Sequence, residues 1–166
     1  MTSIGEWAFQ GCTSLARITI GKGVTSIESS TFQECSSLSS IEVDTNNPAY
    51  CSEDGILFSK DKTTLILYPR RNDTSYTIPN GVSKIESWAF QFCTSLTSIT
   101  IPSTVESIGD AVFWACFSLT EIHYSGTVDD WENITKHQTW YNNTLDFIIH
   151  CTDGTIAKDG TVTPDN

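Results

Sequence analysis

The chain has 166 residues, 39% of them hydrophobic and 11% aromatic, a composition that fits one folded domain and excludes intrinsic disorder. Its formal charge of -11 works against nucleic acid, which needs clustered Lys and Arg, and against anionic membrane surfaces. No apolar run of about 18 residues occurs, so no membrane insertion is expected.

The chain opens with Met1-Thr2-Ser3-Ile4-Gly5, without the charged start and apolar stretch of a signal peptide, and almost directly inside a repeat. A fragment of a longer protein or a truncated one would begin this way. Ile4–Ile20 and Ile27–Val43 superpose on each other, and on Ile85–Ile101 and Ile108–Tyr124 further on. In each, an Ile is followed by Phe (Phe9, Phe32, Phe90, Phe113), then Cys (Cys12, Cys35, Cys93, Cys116), then Leu (Leu15, Leu38, Leu96, Leu119). Neighbouring copies are 23 residues apart. A fixed period of this size defines a solenoid, because one unit can bury its apolar face only against the next. Within a copy, Val105–Ile108 predicts a short extended segment and Gly109-Asp110 a turn. Ala111–Cys116 predicts a helical or 3₁₀ turn, and Leu119–Tyr124 a strand.

Between the second and third regular copies the step is longer, and 12 extra residues fall within residues 44–80. Ile56–Phe58 and Thr64–Tyr68, separated by Ser59-Lys60-Asp61-Lys62, predict a hairpin with a charged turn. Tyr76-Thr77-Ile78 matches Ile99-Thr100-Ile101, where the chain rejoins the repeat. The count is therefore five coils, four regular and one enlarged. Lys60, Lys62, Arg70 and Arg71 make a local basic patch in this segment, read as a solubilising edge or as a contact for an acidic partner.

After residue 125 the repeat is lost. Val128–Ile134 predicts a short helix and Phe147–Cys151 a last strand, together a C-terminal cap over residues 126–154. Residues 155–166 are polar and rich in Thr, and predict a flexible tail.

The pattern Ile-x-x-x-Ala-Phe-x-x-Cys-x-Ser-Leu-x-x-Ile-x-Ile-Pro, nearly intact at Ile85–Pro102, resembles the BspA-type (Treponema pallidum-type) leucine-rich repeat, and the resemblance runs through nearly the whole chain. It implies a right-handed leucine-rich-repeat superhelix over residues 1–125, of α/β solenoid class, with short strands and short helical or 3₁₀ turns. It also implies an extracellular or surface-displayed bacterial protein, with roles in adhesion. In such proteins the strand row lines the concave face where ligands dock. Here that row carries Arg17, Thr19, Ser40, Glu42, Thr77, Ser98, Thr100, Glu121 and His123. It is either a solvated β surface or a polar recognition surface for a protein or glycan ligand. Trp88, Phe92 and Trp114 near the turns are the alternative, an aromatic patch.

The cysteine row, at one rotational position, predicts a column of buried free thiols in which Cys12 and Cys35 are near enough to bridge but point the same way. Cys51 and Cys151 lie off the column and are the better candidates for exposed or paired thiols. No CxxC pair exists, and His123, His137 and His150 are not at ligand spacing from any cysteine, so neither metal nor cofactor is expected. Asp129-Asp130 and Asp153 form no acid/base cluster with a histidine, and Asp153-Gly154 is first a turn signal. The residues therefore favour a non-enzymatic binding module. A structural stalk or spacer of a longer secreted protein is the alternative. The first coil has no polar cover, which predicts end-to-end self-association through it or fraying of residues 1–20.

Overall fold

The computed structural model describes residues 1–165. Each coil contributes two short strands. Coil 1 holds β1 (Ser3–Ile4) and β2 (Arg17–Ile20), and coil 2 holds β3 (Ser26–Ile27) and β4 (Ser40–Val43). The enlarged segment supplies β5 (Tyr50–Glu53), β6 (Ile56–Ser59), β7 (Thr64–Leu67) and β8 (Ser75–Thr77). Coils 4 and 5 hold β9 (Lys84–Ile85), β10 (Ser98–Ile101), β11 (Ser107–Ile108) and β12 (Glu121–Tyr124). Then come helix α1 (Val128–Asn133), β13 (Thr135–Lys136), β14 (Ile148–His150), β15 (Gly154–Ala157) and β16 (Val162–Pro164). Between the two strands of a coil the backbone makes separate three-residue closures rather than a continuous helix, as in Gln10 N to Trp7 O, Cys12 N to Phe9 O and Leu15 N to Cys12 O.

Six turns are present, because the closing segment winds once more. β13 pairs in parallel with β11, and β14 with β12, so this cap is itself built on a repeat. Trp140 continues the buried aromatic column, its ring 5.9 Å from Phe113. Tyr68 takes the place of the repeat phenylalanine in the enlarged coil, 5.0 Å from Phe90. The expected flexible tail is also corrected. β15 pairs antiparallel with β14 and β16 with β15, so residues 154–164 fold back as a hairpin along the last coil. The signal was the alternation of Thr155-Ile156 and Val162-Thr163, with Ile156 buried.

Successive coils are joined by a fixed set of bonds. Between neighbouring regular copies the paired residues are 23 apart, as in Ile99 with Ile122 and Ile18 with Ile41. Ahead of three of the main strands a hydroxyl donates to a carbonyl one coil back: Ser39 to Ala16 (3.2 Å), Thr97 to Thr74 (2.9 Å) and Thr120 to Thr97 (3.4 Å). The residue before the cysteine has a left-handed backbone in all four regular copies: Gly11 (φ 67), Glu34 (φ 59), Phe92 (φ 56) and Ala115 (φ 58). Only Gly11 is the residue that adopts this conformation without steric cost. Its recurrence at one repeat position, whatever the side chain, shows that stacking imposes it.

The enlarged segment divides the core. β5, β6 and β7 form an antiparallel sheet, with β5 a strand the sequence reading did not contain. On β6 every apolar residue is buried, Ile56 at 3%, Leu57 at 0% and Phe58 at 1% exposure. Leu57 and Leu67 pack with the N-terminal cluster of Ile20, Phe32 and Ile41, while Ile56, Phe58 and Leu65 pack with the C-terminal cluster of Phe90, Ile99 and Phe113. The sheet is thus a wall buried on both faces, which explains its continuous apolar run. Asn47, only 1% exposed, anchors the approach to the wall. Its amide donates to Gly21 O and Val24 O at 2.9 Å, and its carbonyl oxygen accepts from Ala49 N and Tyr50 N at 2.8 Å.

Two outcomes follow for stability. Glu34→Gly should raise unfolding free energy by up to about 1 kcal/mol, and Glu34→Val should lower it by about 1–2 kcal/mol, since a β-branched residue tolerates positive φ least. Urea melts check the signs. Leu57→Ala should cost about 2–5 kcal/mol. Hydrogen exchange should locate that loss in amides of β2 and β4, with those of β12 less affected. Uniform loss along the chain would show that the two clusters unfold as one.

Candidate recognition surface

The main strand row places side chains of successive coils at matched height. Sheet order runs β8-β10-β12-β14-β15-β16, while β2 and β4 form a separate pair. The nine expected residues therefore fall into two groups. Arg17, Thr19, Ser40 and Glu42 stand on β2–β4, and Thr77, Ser98, Thr100, Glu121 and His123 on the larger sheet. The tip of the β5–β6 hairpin lies against β4. Gly55 O accepts from Ile41 N at 2.8 Å, and a Cβ at Gly55 would sit 2.6 Å from Ser40 Oγ. Arg71 Nη1 holds the same tip through Asp54 O at 2.6 Å. The row expected to be continuous is thus interrupted beside Ser40.

The larger sheet extends further than the sequence reading placed it. Register puts Thr77, Thr100, His123, His150, Thr155 and Thr163 in one line. The rings of His123 and His150 stack at 5.0 Å, and Glu121 Oε2 lies 3.2 Å from His123 Nε2. His150, Thr155 and Thr163 were missed because their alignment depends on Ile149 meeting Ile122 across coils of unequal length. Among the described residues, the hydroxyls of Thr77, Ser98 and Thr100 make no hydrogen bond within the chain, unlike the hydroxyls of Thr97 and Thr120 that tie coils together. On β4, by contrast, Ser40 Oγ donates to Glu42 at 3.0 Å.

The aromatic alternative is assembled but partly covered. Trp88 and Trp114 lie 5.8 Å apart and half-buried, and the Arg70 guanidinium sits 4.4 Å over the Phe92 ring. Trp7, at the Trp88 position of coil 1, is 56% exposed. The basic patch is internally engaged. Lys62 pairs with Glu53 at 2.9 Å, Arg71 pairs with Asp73 at 2.8 Å, and Lys60 donates to Thr45 O at 3.1 Å. Arg70 is half-buried, and desolvation lowers its pKa.

The cysteine column is buried at Cys35, Cys93 and Cys116, but Cys12 is exposed, which corrects the expectation for that residue. The reason lies in the bonding. Cys35 Sγ donates to Phe9 O and Cys116 Sγ to Phe90 O, each at 3.0 Å, so these two thiols are fixed by the coil before them. Among the described residues Cys12 has no such coil. All six cysteines are free, including Cys51 and Cys151, which are half-buried rather than paired. A hydrogen bond with Cys116, together with burial, pushes the Cys93 thiol well up, and burial raises Cys35. Burial beside Asp153 takes Cys151 to about 11. Among the described residues no group of three or more His, Cys, Asp or Glu is arranged to hold a metal ion, and no helix is long and apolar enough to cross a membrane. Asp130 caps α1, with Thr127 N donating to its carboxylate at 3.0 Å, and Asp153 accepts from Val128 N at 2.8 Å.

Six stacked turns with parallel strand rows and a shared aromatic column define a leucine-rich repeat solenoid. The sequence pattern of the BspA type leucine rich repeat region matches residues 1–54 and 67–148 in six copies, and the chain belongs to that family. The stretch between the two matches contains β6 and most of β7, while β5 falls within the first match. Among solved structures, the chain is similar to the pneumococcal vaccine antigen PcpA, with 36% identity over 64% of this chain and 26% of that one, at a TM-score of 0.61. It is also similar to a leucine-rich cell surface protein from Faecalibacterium prausnitzii, with 27% identity, 81% and 54% coverage and a TM-score of 0.63. A leucine-rich repeat protein from Eubacterium ventriosum gives 27% identity, 75% and 40% coverage and a TM-score of 0.60. The chain thus spans between a quarter and just over half of these relatives. No curated protein is similar to it.

In native titration with a thiol reagent, Cys12 should react at once, Cys51 and Cys151 slowly, and Cys35, Cys93 and Cys116 not at all until denaturation. A silent Cys12, or a fast Cys93, would contradict the stacking geometry.

Proposed function

We propose that the chain is a non-enzymatic recognition module, binding a protein or glycan ligand at a bacterial cell surface through the outward side of its larger strand row. The observation that carries this reading is a set of hydroxyls that the fold does not use, Thr77 and Thr100 in one line and Ser98 in the next, at strand spacing and next to the His123–His150 stack. Such a row offers directional bonds to a ligand without first breaking internal ones. Surface display is supported by the similarity to the Faecalibacterium prausnitzii leucine-rich cell surface protein. Adhesion is the role this reading assigns. The spacer alternative draws support from the greater length of the relatives, in which these coils would be a minor part. End-to-end association of copies through the open face of coil 1 also belongs to the proposal, and a strict monomer at high concentration in light scattering would remove it.

An array of glycans and extracellular-matrix proteins separates recognition from spacing. Reproducible binding is expected, and its absence with folded protein favours the spacer. Ser98→Lys with Thr100→Lys should abolish that binding while changing stability by no more than about 0.5 kcal/mol per site. Unchanged affinity would move the site to the Trp88–Trp114 side.

A further inference from the structure

The repeat keeps two outward positions polar along most of the chain and makes both apolar at its C-terminal end. The residue after the cysteine is Thr13, Ser36 and Thr94, and then Phe117. In the sixth coil the same place belongs to Leu145, since Thr144 follows the left-handed Asn143 (φ 59) as Cys116 follows Ala115 (φ 58). The first outward strand position reads Ser75, Ser98, Glu121, and then Ile148 and Ala157 by register. Phe117, Leu145 and Ile148 are 47%, 58% and 46% exposed. Beside Ile148 an open cavity of about 430 Å³ lies between the loop ahead of β14 and the β15–β16 turn, reached past Thr120, Asp146, Ala157, Lys158 and Asp159.

The rim is acidic. Asp146 is fully exposed, Asp159 stands on the turn, and Glu121 is the register partner of Ile148. The one cation, Lys158, is turned inward. Its ammonium donates to Thr144 O at 2.8 Å and Leu145 O at 3.0 Å, lies over the Tyr141 and Phe147 rings, and is 3.9 Å from Asp146. A second copy is a poor occupant. A two-fold contact here would set Glu121, Asp146 and Asp159 against themselves, on chains that each carry -11.

From this we infer that the Phe117–Leu145–Ile148 patch docks a basic polypeptide segment, one bulky apolar side chain entering the cavity and flanking Lys or Arg residues meeting Glu121, Asp146 and Asp159. The inference rests on the recognition reading and gives it a partner class and an anchor point at the end of the same sheet. Apolar anchoring supplies affinity, and the acidic rim supplies orientation and rate.

The test uses the full chain, ¹⁵N-labelled, and three nine-residue peptides with a central Phe flanked by Lys, by Ser or by Glu. The Lys-flanked peptide should shift the amides of Thr120, Leu145, Ile148 and Ala157, and the Glu-flanked one should not. Ile148→Asp should weaken that binding at least tenfold with the thermal midpoint unchanged. Asp146→Lys with Asp159→Lys should transfer preference to the Glu-flanked peptide. Shifts spread evenly over acidic residues, equal response to all three peptides, or no response would overturn the inference. So would a dimer in sedimentation velocity that Ile148→Asp abolishes, which would assign the patch to a second copy. An array ligand that survives Ile148→Asp but is lost on Ser98→Lys with Thr100→Lys, with no peptide docking, keeps the recognition reading and removes this one alone.

Discussion

The structure depends on one constraint: a coil is completed by its neighbours. Strand amides reach back one turn, as Ser39 N to Ala16 O and Thr97 N to Thr74 O, and amides at the aromatic corner reach forward, as Phe9 N to Thr31 O and Phe90 N to Val112 O. The hydroxyls of Ser39, Thr97 and Thr120 and the thiols of Cys35 and Cys116 reach back. Interior coils are therefore over-determined. They hold Phe92 and Ala115 at positive φ because the neighbouring coils leave no other path. The first coil is determined from one side, and its side chains show it. Cys12 and Trp7 are exposed, while their counterparts in coils 4 and 5 are covered or half-covered. A one-dimensional array behaves this way because each unit contacts only its neighbours.

Within that array the enlarged coil is an insertion that respects the period. Its β7 and β8 take the two strand positions of an ordinary turn, and Tyr68 takes the aromatic one. The added residues go into β5 and β6, whose faces serve different cores. Function inherits this division. The hairpin tip that closes on Ser40 separates a small N-terminal row from a long C-terminal one, and unengaged hydroxyls and exposed apolar side chains gather on the latter.

Much of this was legible in residues. The Phe, Cys and Leu rows gave the period, and Tyr76 against Ile99 gave the point of return, which the parallel register bears out. The basic patch was not legible as a set of ion pairs, because Glu53 and Asp73 are brought to Lys62 and Arg71 by the folding of the hairpin and its exit. The last turn was hidden because Tyr141 and Thr144 stand where the pattern has Phe and Cys, and because a helix capped by Thr127 and Asp130 interrupts the spacing. The hairpin at residues 154–164 was hidden by composition, since Thr and Gly suit a tail as well as an edge strand.

By itself, then, the sequence determined the solenoid, its period, the inward residues of the interior regular coils and the place of the insertion. All of these follow from periodic burial, which is a local property of spacing. Only the tertiary structure decided which outward residues share a line, which charges are already matched, where the strand row breaks and which repeat cysteine is exposed. Those depend on contacts between residues one or more turns apart, and on coils of unequal length, so no count along the chain could supply them.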